Sequence, residues 1–192
     1  MNAPARIRSA RFLAVSTCLR IVLTPVVMAL LLADGRTPHT AAGVAAGVFC
    51  VAAATDWADG RLARRWGVTT TLGTFLDTTA DKILVTGGLV ALVAVDRASP
   101  WIAVIIVGRE LTIMGLRGVL AADGVVLRPS PFGKAKTTVQ FLAIALAMVR
   151  PDVTIAGAYL DEWVMVAAAA ITVASGLDYL LRSVAALSGP PP

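Results

Sequence analysis

The chain has 192 residues, 57% of them hydrophobic, with a mean hydropathy of +0.79 and a formal net charge of +5. Such apolarity excludes an ordinary soluble domain and indicates a polytopic membrane protein, so the basic excess reads as a topology signal and an attraction to anionic lipid heads, with no nucleic-acid footprint. Two cysteines, Cys18 and Cys50, both inside apolar segments, give no disulfide framework, and the single histidine, His39, stands in a polar turn as a solvated residue.

Apolar runs long enough to cross a bilayer predict six helices, approximately over residues 12–33, 40–59, 72–95, 101–122, 132–149 and 163–181. The expected fold is therefore all-α, an integral membrane protein of six transmembrane helices. Ahead of the first, Arg6, Arg8 and Arg11 mark a short N-terminal interfacial helix over 1–11. The first run is too long for the apolar part of a secretion signal and carries Arg20 and Pro25, which makes it an uncleaved span. In the second, Gly43-x-x-x-Gly47 permits close packing of another helix, within the chain or from a second copy. The six helices form one domain over 12–183, followed by a tail at 184–192.

Charge orients these helices. Only Arg36, Arg97 and Arg150 fall in the first, third and fifth connections, whereas Arg6, Arg8, Arg11, Arg61, Arg64, Arg65, Arg128, Lys134, Lys136 and Arg182 flank the other side. The positive-inside rule then places both termini and the second helix end in the cytoplasm of a cell bounded by this membrane.

Four aspartates stand inside otherwise apolar segments, as Asp56-x-x-Asp59-Gly60-x-x-Ala63-Arg64, then eight residues, then Gly73-x-x-x-Asp77-x-x-x-Asp81. An ionised carboxylate near a bilayer centre costs ~2.5–3.5 kcal/mol on insertion scales, so positive charge must stand among four of them. Helical spacing puts Asp56, Asp59, Gly60, Ala63 and Arg64 on one stripe and Gly73, Asp77 and Asp81 on a second. Two adjacent helices can therefore aim all four carboxylates into one pocket. Hard oxygen donors suit magnesium, manganese or calcium, and two such ions bridged by aspartates would leave positions open for phosphate oxygens. Glycine and alanine at 60, 63 and 73 let a ligand lie against the helix backbone.

At all eight positions this pattern resembles the signature of the CDP-alcohol phosphotransferases, membrane enzymes that transfer a phosphoryl-linked group from a CDP-alcohol to a second alcohol. The resemblance implies that fold, with Asp56, Asp59 and Asp77 as ligands of magnesium or manganese and Asp81 as ligand or general base. It also implies that Gly60, Ala63, Arg64 and Gly73, with Asp56 and Asp59, contact the CDP-alcohol, and that the enzyme is a homodimer. Ala14, where relatives commonly carry Asn, and Thr78, where Pro is usual, depart from the pattern.

Further charges bear on the acceptor. Arg109 and Glu110 lie midway along the fourth helix, Arg117 two turns on, and Lys134 and Lys136 start the fifth. A dianionic phosphate monoester needs such a cationic set, in which Glu110 would orient Arg109. The strings Thr55-Asp56-Trp57, Ala80-Asp81-Lys82, Arg109-Glu110-x6-Arg117 and Gly133-Lys134-x-Lys136-Thr137-x-x-Gln140 look like the bacterial members of the family that use glycerol 3-phosphate. The likeness runs over about 17–140 and is weak in the last helix. It implies CDP-diacylglycerol as donor, glycerol 3-phosphate on Arg109, Arg117, Lys134 and Lys136, CMP as the leaving product, and Asp81 as acceptor of the hydroxyl proton. Phosphatidylglycerol or inositol phosphate as acceptor remains open at this point, as does a cation transporter, whose aspartates would bind ions in transit.

Overall fold

Six helices dominate the computed structural model, which describes residues 3–33, 40–66, 71–122, 124–125 and 131–188, without the side chains of 3–14, 56–60, 62–66, 71, 72, 74 and 131–135. They are α1 (Ala3–Ala33), α2 (Thr40–Trp66), α3 (Thr71–Ala94), α4 (Pro100–Ala122), α5 (Pro131–Val149) and α6 (Leu160–Ser188). The turn around His39 lies outside the described residues. Pro100 and Pro131 open their helices where a missing N–H costs nothing. Beyond α3, Asp96 takes the left-handed conformation (φ 55°) and the Arg97 N–H donates to the Leu92 carbonyl at 2.8 Å, closing the helix end. A small antiparallel hairpin, β1 (Thr154–Ile155) with β2 (Ala158–Tyr159), precedes α6. Its two-residue turn, Ala156 and Gly157, has positive φ at both positions, the geometry that matches strand twist. Glu162, in the first turn of α6, accepts from the Tyr159 N–H and from Arg150, and the Trp163 indole N–H donates to the Ile155 carbonyl.

The chain divides into two compact units, Met1–Arg97 and Ala98–Pro192. In the first, α1 packs along both α2 and α3, which meet each other far less. Its buried stripe is Thr17, Arg20, Thr24, Val27 and Leu31, a three–four spacing that turns one face inward along the helix. Against it α2 sets Ala42, Ala45, Ala46, Phe49 and Ala52, and α3 sets Ala80, Leu84, Val85, Leu89 and Leu92. Gly87 lets α3 lie close against the side chains of α1. A Cβ there would collide with the Thr24 methyl and stand 3.2 Å from the Met28 sulfur. Gly43 and Gly47, by contrast, lie on an exposed face where an added Cβ meets nothing within 4 Å.

In the second unit α6 plays the part of α1: α4 and α5 each pack along it. Its buried stripe runs Asp161, Met165, Ala168, Thr172, Ser175, Tyr179 and Ser183. In both units polar groups lie inside, while Val15, Leu19, Val22, Val104, Leu111, Leu142, Val166, Leu177 and Leu181 are exposed. An apolar exterior over a partly polar interior suits contact with lipid.

The expectation of six transmembrane helices is overturned. Among the described residues two helical segments are long and apolar enough to cross a membrane, Val15–Ala33 of α1 and Leu160–Ala186 of α6. Shorter apolar runs occupy Thr40–Thr55 of α2 and Lys136–Val149 of α5. In α3 and α4 charge is the reason: α3 carries Asp77, Asp81 and Lys82, and α4 carries Arg109, Glu110 and Arg117. The interfacial helix expected over 1–11 is also not separate, because α1 begins at Ala3 and continues to Ala33.

Replacing Gly87 by Ala should destabilise the first unit by about 1–3 kcal/mol, the usual range for overpacking. The measurement is thermal unfolding in detergent. Thr24→Ser, which removes the obstructing methyl and keeps the hydroxyl, should recover part of the loss.

Candidate functional site

The aspartate segment lies on α2 and α3. Backbone positions 56, 59, 60, 63 and 64 all fall within the last three turns of α2, so the stripe read from the spacing is a helical one. The side chains of Asp56, Asp59, Ala63 and Arg64, and the surroundings of Gly60, lie outside the described residues.

On α3, Asp77 and Asp81 are one turn apart and partly exposed, with Gly73 a further turn back. Asp77 Oδ1 accepts from Nη2 of Arg20 at 2.9 Å, which ties α3 to α1 across 57 positions of sequence. The Arg20 guanidinium is 1% exposed, and its helix is braced locally where Thr24 Oγ1 donates to the Arg20 carbonyl at 3.0 Å. Asp81 Oδ2 accepts from Lys82 Nζ at 2.7 Å. Positive charge thus does stand beside these carboxylates. Removing Asp77 would strand the buried Arg20 guanidinium without this partner, which is the costlier half of the pair to leave alone.

Among the described residues no three His, Cys, Asp or Glu side chains come together as a metal-binding group. Of the four expected ligands, only Asp77 and Asp81 have described side chains. Two hard carboxylates a turn apart, partly exposed and already facing cations, are the right chemistry for a divalent ion such as magnesium or manganese.

The cationic residues expected for the acceptor separate into two groups. Glu110, buried on α4, accepts through Oε1 from both Arg109 Nη1, at 3.1 Å, and Lys136 Nζ of α5. Arg109 also donates from Nη2 to Ser175 Oγ of α6 at 3.0 Å. Below this triad the Gln140 amide donates to Thr172 Oγ1 at 2.7 Å. Two cations on one carboxylate leave a formal charge of +1 on a largely buried cluster drawn from three helices. Arg117 lies apart, exposed on α4 with its guanidinium 5.4 Å from the centre of the Tyr179 ring, which Arg182 approaches at 5.9 Å. The Lys134 side chain lies outside the described residues.

Sequence reasoning missed the contribution of α6. Ser175, Gly176 and Thr172 are small residues in an apolar run, and their only signal is the three–four spacing that puts them on the buried stripe. Arg20 carried a stronger signal, since an arginine inside an apolar helix demands a carboxylate, but periodicity does not say which helix supplies it.

Known proteins resemble this chain over most of its length. A family model described as CDP-alcohol phosphatidyltransferase matches residues 14–174. The chain is 36% identical over 187 residues to the CDP-diacylglycerol–glycerol-3-phosphate 3-phosphatidyltransferase of Bacillus subtilis (strain 168), covering 89% of this chain and 94% of that one. To the enzyme of the same name from Escherichia coli (strain K12) it is 39% identical over 170 residues, 85% of this chain and 90% of the other. To the probable phosphatidylglycerophosphate synthase of Mycobacterium tuberculosis (strain ATCC 25618 / H37Rv) it is 36% identical over 187 residues, 96% of this chain and 87% of the other. Matched over most of its length, and carrying apolar helices able to span a bilayer, this chain is a membrane-associated enzyme that belongs to the CDP-alcohol phosphatidyltransferase family.

Proposed function

We propose that the protein transfers the phosphatidyl group of CDP-diacylglycerol to sn-glycerol 3-phosphate, releasing CMP and forming phosphatidylglycerophosphate. The observation that carries the choice of acceptor is the Arg109–Glu110–Lys136 cluster. Its formal surplus of one positive charge, in a buried setting, suits a small phosphate monoester. Phosphatidylglycerol has no terminal monoester for such a cluster to hold. Relatives that align over nearly the whole chain carry glycerol 3-phosphate in their names, which favours it over inositol phosphate.

In the reaction the donor keeps its acyl chains in the membrane and its cytidine against Gly60 and Ala63, with Gly73 opposite and Arg64 near the phosphates. Asp56, Asp59, Asp77 and Asp81 would hold magnesium or manganese, two ions in all, which when bound polarise the phosphoryl oxygens and stabilise the departing CMP. Some of Arg109, Arg117, Lys134 and Lys136 hold the acceptor phosphate and leave its hydroxyl free. That hydroxyl oxygen forms a bond to the lipid-side phosphorus, the bond from this phosphorus to CMP breaks with its electrons going to CMP, and a carboxylate oxygen of Asp81 takes the proton. Lys82, bonded to Asp81 Oδ2, orients the carboxylate. The enzyme works as a homodimer in the cell membrane with its termini and site on the cytoplasmic side, as the basic flanks favour.

Purified protein with CDP-diacylglycerol and magnesium should release CMP when offered glycerol 3-phosphate and not when offered inositol phosphate or phosphatidylglycerol; release with either of the latter overturns the acceptor assignment. Chelation of divalent ions should abolish that release, and added magnesium or manganese should restore it. Asp81→Asn should lower kcat by about 10²- to 10⁴-fold, the usual worth of a general base. Full turnover by that variant would remove Asp81 from the role. Asp59→Asn should abolish metal-dependent activity altogether.

A further inference from the structure

An arginine carries four rotatable side-chain bonds and loses much freedom when ordered, so a guanidinium that must meet a small substrate is useful only where its stem is held. On α6 the stem of Arg109 crosses the backbone at Gly176. A Cβ at that position would stand 3.0 Å from Arg109 Cγ and 3.5 Å from Nε. Glycine inside a helix is less stable than alanine, and here the missing side chain is the seat of the arginine.

The next residue completes the arrangement. Ser175 Oγ lies 3.2 Å from the Thr172 carbonyl and donates its single proton there, so its lone pairs are what remain to receive Arg109 Nη2. Thr172 is committed in the same way, donating to the Ala168 carbonyl at 2.6 Å while accepting from Gln140. These hydroxyls have fixed directions. Glu110 grips Nη1 from the opposite side, and the Arg109 Nε–H is buried with no hydrogen-bond partner among the described residues. The guanidinium is thus clamped between α4 and α6, with its Nε–H not spent on any described residue.

We infer that Ser175 and Gly176 of α6 are positioning residues for the acceptor phosphate, acting through Arg109. The inference rests on the reading of Arg109 as an acceptor contact and extends it to α6. It separates the two substrates: α6 governs recognition of the phosphate monoester and leaves the donor untouched.

The test measures KM for glycerol 3-phosphate and KM for CDP-diacylglycerol separately on purified full-length variants. Ser175→Ala removes one hydrogen bond to a charged group and should raise KM for glycerol 3-phosphate about ten- to a hundredfold. KM for CDP-diacylglycerol should stay at its parent value. Gly176→Ala should act in the same direction, and Ser175→Thr, which keeps the hydroxyl, should restore the parent KM. An unchanged KM for glycerol 3-phosphate in Ser175→Ala, or an equal rise in both constants, overturns the inference. Arg109→Lys serves as the reference. If it leaves KM for glycerol 3-phosphate unchanged, the acceptor reading itself falls; if it raises that constant while Ser175→Ala and Gly176→Ala do not, only the role of α6 falls.

Discussion

A charge enclosed among apolar helices has to meet its opposite on a neighbouring helix, and the packing of this protein turns on that requirement. In the first unit the buried guanidinium of Arg20 meets Asp77, joining the first and third helices. In the second, the single carboxylate of Glu110 holds Arg109 of its own helix and Lys136 of the next. Either charge left alone would cost several kcal/mol, so each pair restricts how its helices can slide or rotate. The residues proposed to bear on phosphate chemistry are therefore also those that restrict helix register.

Each unit is organised around one long apolar helix, α1 or α6, whose inner stripe is unexpectedly polar. Thr24 bonds the Arg20 carbonyl, Thr172 that of Ala168, Ser175 that of Thr172 and Ser183 that of Tyr179. Giving the hydroxyl proton to the preceding turn satisfies the donor and leaves lone pairs for whatever packs alongside. Small hydroxyl residues thus let α1 and α6 accept charged neighbours on the inside while remaining apolar outside. The same smallness allows close approach, at Gly87 for α3 and at Gly176 for the stem of Arg109.

This division of labour places the proposed reactive groups on helices. Asp77 and Asp81 are held by helical pitch, and the Arg109–Glu110–Lys136 cluster is held by three helices at once. For phosphoryl transfer, where catalysis is largely positioning and electrostatic stabilisation, a rigid array of charges is what the chemistry asks for. The negative motif and the positive cluster belong to different units, so the charges suited to donor and acceptor are built independently.

Much of this was legible in the amino-acid order. Runs of apolar residues between polar turns set α3, α4 and α5 to within a residue or so at each end, and the spacing of the aspartates set the stripes they share. Helix ends were less legible at α2, which continues to Trp66 through its charged residues, and at α6, which starts at Leu160 after a hairpin that two small residues at a turn announce only faintly. At α3 and α4 the count of spans failed because an apolar average hides charges that interrupt it. Alone, then, the sequence determined the membrane character, the helical pattern, the aspartate signature and the family, since these depend on composition and local period. Tertiary structure alone decided that Arg20 answers Asp77, that Glu110 joins two cations and that α6 seats Arg109, because which helix lies beside which is a property of packing that no local period contains.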